Sequence, residues 1–267
     1  ASDLSSTFHD FQEFVITVVA EPTEPGPTTG PSTYQTVALG GSVAFSASVN
    51  DTPSITYQWQ KGGGIHVSNS GSNSNLGYGL SPYRDIQHAI DSASNGQTII
   101  VHPGTYNENI NFMGKNIIVS SLYKFTKNKE YIASTVIDGN ANGSVVQFLN
   151  GENPSAELNG FTLRNGSGSN IHSLAWQKSG GGIACVNSSP TLKNLVIHSC
   201  DVAYEGGGMY LMMANPTLTN VTITNNSTAS NDGGGIVSDL GSSPTLVNCI
   251  LWNDLPQEIY LIAGSVT

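Results

Sequence analysis

Residues 180–197 read GGGIACVNSSPTLKNLVI, residues 206–223 read GGGMYLMMANPTLTNVTI, and residues 233–251 read GGGIVSDLGSSPTLVNCIL. The glycine runs begin 26 and 27 residues apart, and Pro190, Pro216 and Pro244 recur at 26 and 28. A fixed period of this length is the mark of a repeat architecture. At roughly 3.3 Å per residue, one period makes three short strands and three turns around a narrow core. The next period then lies about 4.8 Å above it, joined by parallel backbone hydrogen bonds. Equivalent side chains should therefore stack. Leu192, Leu218 and Leu246 form one inward ladder. Leu195, Val221 and Cys249 form a second, and Ile197, Ile223 and Leu251 a third. Asn194, Asn220 and Asn248 share one corner, where stacked amides can bond to each other and tolerate left-handed backbone. The triple glycines suit positive φ and close approach of successive repeats.

Weaker copies precede these. Leu158-Asn-Gly-Phe161-Thr-Leu163 matches the Leu-x-Asn-apolar-x-apolar motif, and Asn116-Ile117-Ile118-Val119 matches its second half. Together they predict an all-β right-handed parallel β-helix of about five coils over 65–267. The segment 82–94 is expected to be an amphipathic helix, started by Ser81 and Pro82, that caps the core.

The first 64 residues differ. FQEFVITVVA, residues 11–20, reads as a strand apolar on both faces, with Phe14, Ile16 and Val18 on one of them. Residues 21–31 hold four prolines and read as an extended linker, closing a first segment of 1–31. Residues 32–64 carry two alternating strands. GGSVAFSASVNDTPSITYQWQK, residues 40–61, resembles the B and C strands of an immunoglobulin-like domain around Trp59, an incomplete set since such a sandwich needs about seven strands.

Residues 65–267 resemble the right-handed parallel β-helix, or pectate-lyase-like, repeat proteins of bacterial surfaces. SPYRDIQHAIDSASNGQTIIVHPGTYNENI, residues 81–110, is similar to their N-terminal cap and first coil. The GGGI and Leu-x-Asn repeats resemble those of polymorphic outer-membrane adhesins. That resemblance implies the fold and an extracellular or cell-surface location. It does not imply one activity, because this fold carries enzymes, adhesins and spacers.

Charge narrows the choice. The net charge is −10, and every Lys and Arg lies at or before Lys193. Nucleic acid is not an expected partner, since phosphate binding needs clustered bases. There is no apolar run of about 20 residues, so no membrane-spanning helix is expected. Ala1 fits a mature end left by signal-peptide cleavage. Cys185, Cys200 and Cys249 form no disulfide framework, although Cys185 and Cys200 are free to pair.

Catalysis is not expected. The outward positions Lys193, Val196, His198, Thr219, Thr222, Val247 and Ile250 carry no carboxylate for a lyase or hydrolase. His198, Asp201 and Glu205 read as a solvated loop. No cofactor is expected. A Ca²⁺ in the Asn- and Gly-rich stretch 68–79 would lack the usual carboxylates.

Two surfaces remain. Tyr123, Lys124, Phe125, Lys127 and Lys129 follow Val119, and His172, Trp176 and Lys178 follow Leu163. If both loops leave the same corner, they form one aromatic and basic face suited to an acidic polysaccharide. The other surface is the pair of unfinished ends. The strand 11–20 would complete the final coil of a neighbour and build a filament or surface layer. An adhesin or carbohydrate-binding module within a larger surface protein is the alternative, and a polysaccharide lyase or glycoside hydrolase a more distant one.

Overall fold

The computed structural model describes residues 14–19, 56–61 and 64–267, apart from 78, 80, 172–176 and 231. The chain divides into two compact units, 1–63 and 64–267. In the first, Phe14–Val19 pairs antiparallel with Thr56–Lys61, with Ile16 opposite Trp59 and Val18 opposite Tyr57. The N-terminal strand thus has a partner within its own chain, contrary to the sequence reading. FVITVV and TYQWQK are equal in length and rich in β-branched or aromatic residues, which favours their pairing. The proline-rich linker and the rest of the immunoglobulin-like stretch lie outside the described residues.

The second unit is dominated by parallel β-structure, in sheets of eleven and six strands. Its register is that of the repeat. Leu192 lies opposite Leu158 and Leu218, and Leu218 opposite Leu246. Ile197 lies opposite Leu163 and Ile223. In the six-stranded sheet Ile183, Met209, Ile236 and Ile259 follow one another. The strand Thr191–His198 buries Leu192, Leu195 and Ile197 and turns its other side chains outward. Inward residues from both sheets join one continuous core, with Phe112 and Phe148 stacked at 4.3 Å between ring centroids.

The repeats turn at left-handed residues. Asn194, Asn220 and Asn248 have φ of 52°, 56° and 54°. Their amides form a chain: Asn220 Nδ2 donates to Asn194 Oδ1 at 3.1 Å, and Asn248 Nδ2 to Asn220 Oδ1 at 2.6 Å. A second corner holds Asn165, Ser199, Asn225 and Asn253, with Asn253 Nδ2 donating to Asn225 Oδ1 at 2.6 Å. The sequence reading missed this corner. A third holds Asn187, Met213 and Leu240, at φ of 51°, 51° and 46°. Leu240 is 54% exposed, so it gains little packing in return for a backbone that disfavours it by roughly 1–2 kcal/mol. Leu240→Gly should raise stability by about 1 kcal/mol in urea denaturation, glycine's greater chain entropy offsetting part of the gain. Asn187→Gly should do less, because Asn already tolerates this conformation.

The triple glycines divide two tasks. The first of each run has positive φ, as at Gly206 (67°). The third sits where repeats nearly touch: a Cβ at Gly208 would lie 2.7 Å from the Gly235 carbonyl oxygen.

Two sequence expectations shift in the earlier repeats. Val119 pairs with Leu158, not with Leu163, so Asn116–Val119 belongs to the strand before the asparagine corner. The alternation Ile-x-Val is the same on either strand, so pattern alone does not separate them. The helix, α1, spans Ile86–Ser92 rather than 82–94. Ser81–Tyr83 is held extended instead, because Tyr83 N–H donates to the His66 carbonyl and Ser68 N–H to the Tyr83 carbonyl. Ile86, Ala89 and Ile90 of α1 are fully buried. Among the described residues, no helix is long and apolar enough to cross a membrane.

Candidate functional site

The basic loop is built from two short helices, α2 (Tyr123–Thr126) and α3 (Glu130–Ser134), inserted where later repeats have the asparagine corner. They bring Tyr123, Lys124, Phe125 and Lys127 together. Lys124 is already engaged, on a carboxylate that it shares with Lys193 of the strand Thr191–His198. Lys124 Nζ donates to Glu157 Oε1 at 2.6 Å, and Lys193 Nζ to Glu157 Oε2 at 2.9 Å. Burial pushes the Glu157 carboxyl up, but hydrogen bonds from Lys124, Asn159 and Lys193 outweigh it and hold the pKa at about 2. Lys127 Nζ donates to the Lys124 carbonyl at 2.8 Å and stands 5.8 Å from the Tyr123 ring centroid. Lys129 is exposed.

The second loop does not leave the same corner. Val119 pairs with Leu158, whereas Leu163 pairs with Ile197, one strand further on. Lys178 is exposed and pairs through its backbone with Asn170. His172 and Trp176 lie outside the described residues. A single face made of both loops is therefore not what the register builds.

An open cleft of about 610 Å³ lies beside α1 and is lined by Arg84, Asp85, His88, Tyr106 and Glu108, among others. Its carboxylates are committed to structure. Glu108 Oε1 and Oε2 accept the Ile86 and Gln87 amides, each at 2.8 Å, and so cap the start of α1 from a distant turn. Asp85 accepts from Arg84 Nε at 2.7 Å and from Asn73 Nδ2 at 2.6 Å. The Asn73 and Asn75 side chains of the stretch 68–79 bond to Asp85 and to the Pro82 carbonyl. Among the described residues, no group of three or more His, Cys, Asp or Glu is placed to hold a metal ion. Cys185 and Cys200 are buried free thiols, and Cys249 is partly buried.

Of the residues that the sequence reads as a solvated loop, Asp201 is exposed and His198 half-buried, but Glu205 is not solvated. Asp201 Oδ1 accepts from Ser227 Oγ at 2.8 Å. Glu205 is only 5% exposed, and burial together with Asp232 and Asp239 pushes its carboxyl up to about 7.

The surface that stands out is the edge of the last described repeat. Thr245–Val247, Ile250–Trp252 and Ile259–Leu261 pair with the preceding repeat. Residues 263–267 lie over its start, with the Leu246 amide donating to the Thr267 carbonyl at 2.7 Å. Among the described residues, no strand covers the other side of Ile250–Trp252 or Ile259–Leu261. Large apolar side chains gather there: Trp252 is 72% exposed, Ile250 60%, and Val247, Leu255, Leu261 and Ile262 are exposed as well. Among the described residues, these apolar side chains lie on or beside strands with an unpaired edge. The opposite end differs. The far edge of Ile65–Val67 is bonded to Gly77 and Tyr83, and α1 lies against the core.

No protein-family model matches the chain, and no curated protein matches it.

Proposed function

We propose that the second unit is a right-handed parallel β-helix closed at its first coil by α1, and that the chain is a non-enzymatic extracellular or cell-surface structural protein. It assembles with copies of itself by strand addition at the edge Ile250–Trp252. The observation that carries this reading is the exposed Ile250 and Trp252 on a strand whose second edge carries no partner among the described residues. Simple head-to-tail stacking is blocked where Gly77 and Tyr83 bond to the first edge, so the added strand must come from elsewhere. Phe14–Val19 suits the role. It has no charged residue, which matters beside a region without Lys or Arg beyond residue 193. It also pairs with Thr56–Lys61 on one edge, and among the described residues its other edge carries no strand. Such a contact is heterologous and grows filaments if it does not close.

Removing residues 1–31 should abolish polymers in negative-stain microscopy and sedimentation, while far-UV circular dichroism keeps its β signal. Ile250→Lys in the intact chain should do the same. Persistence of the same polymers in either variant sinks the proposal. Release of unsaturated products from pectin or alginate would replace it with a lyase. The carbohydrate-binding alternative draws less support, because Lys124 is spent on Glu157 and the two loops leave different corners.

A further inference from the structure

After each second-corner residue comes one deeply buried position. Cys200, Asn226 and Asp254 occupy it in three successive repeats, exposed by 1%, 1% and 2%. Asn226 links them. Its Oδ1 accepts the Cys200 amide at 3.1 Å, and its Nδ2 donates to the Ile197 carbonyl at 3.1 Å. The Asn226 amide and Nδ2 both donate to Asp254 Oδ1 at 2.8 Å. Asp254 Oδ1 is therefore satisfied twice over. Asp254 Oδ2 is buried and receives no donor. The Glu258 carboxyl bears on the same residue: its Oε2 accepts the Asp254 amide at 3.3 Å.

Two ionised carboxylates offer only lone pairs to each other, and a buried oxygen left so is costly. One proton resolves this by turning the contact into O–H···O. The titratable groups that bear on Asp254 among the described residues are Glu258 and the Cys200 thiol, neither of them basic. We propose that Asp254 keeps a proton at its buried Oδ2 and offers it toward the Glu258 carboxylate, which makes 250–261 a pH-sensitive clasp, closed while Asp254 holds the proton and loosened when it is lost. The clasp is a contact within one chain, and its span includes the edge Ile250–Trp252.

Burial, with Glu258 adding to it, lifts the Asp254 carboxyl from 3.8 to about 6. A folded pKa raised above the unfolded value contributes stability that is full below about 3.8 and is lost as pH rises through about 6. Amide hydrogen exchange of the intact chain between pH 4.5 and 8, corrected for intrinsic rates, tests this. Protection of 250–261 should fall by about tenfold to a hundredfold across that range, one pKa unit corresponding to tenfold. In Asp254→Asn and in Glu258→Gln an amide donor replaces that proton, so protection should stay flat. Flat protection in the parent chain, or an undiminished fall in both variants, overturns the proposal. So does calcium chloride restoring protection at pH 8 in the parent alone, because the pair would then hold a cation instead of a proton.

Discussion

Leu218→Ala should lower the free energy of unfolding by about 4 kcal/mol in chemical denaturation. Leu218 is fully buried and stacked between Leu192 on one side and Leu246 on the other. Both neighbours are fixed by parallel backbone pairing, so they cannot collapse into the space left behind. The removed atoms and the residual cavity then both count against the fold. Leu246 makes the comparison. It is the same residue in the same ladder, but only partly buried, with residues 263–267 in place of a full repeat beyond it. Leu246→Ala should therefore lose about half as much. Equal losses at the two positions would show that the ladder does not set the energetics.

Glu108→Ala should lower stability by about 3 kcal/mol, with the loss centred on α1. It strips acceptors from two helix-start amides, at Ile86 and Gln87, each worth roughly 1–3 kcal/mol when left unsatisfied. No other side chain is placed to help, since the N-cap residue Asp85 makes no capping hydrogen bond. Glu108→Gln should be nearly as harmful, because its NH₂ would face one of the two N–H groups. Thermal denaturation gives the size of the loss, and hydrogen exchange over residues 86–92 its location. A uniform loss across the chain, with no excess at α1, would contradict this role.

The repeats at 180–251 were legible because a period in sequence becomes a pairing in space. Leu192, Leu218 and Leu246 are neighbours as their spacing requires. Before residue 165 the same method slipped. Ile117 and Val119 alternate equally well on two different strands, and the α2–α3 insertion displaces the asparagine that would mark the corner. Ser81 and Pro82 look like a helix start, yet Tyr83 is drawn into backbone pairing with His66, and the true cap comes from Glu108 on another segment. No local pattern carries such a contact. The second corner had a usable signal, Asn225 and Asn253 each following an outward residue, but Ser199 interrupts the series. Burial of Glu205 and Asp254 was invisible for a different reason. Charges in polar, glycine-rich stretches usually face water, and here successive repeats close over them.

The in-register stacking also dictates how the second unit should answer to force. Each repeat is bonded to its neighbours alone, so a load applied at residue 267 falls on one boundary at a time and not on the whole sheet. Stretched between residues 64 and 267, the unit should unravel from the Trp252 edge in a saw-tooth. A released period of 26 to 28 residues would add about 90 Å of chain at 3.3–3.6 Å per residue. Such a molecule yields in small, recoverable steps, where a sandwich of the same mass would give way at once.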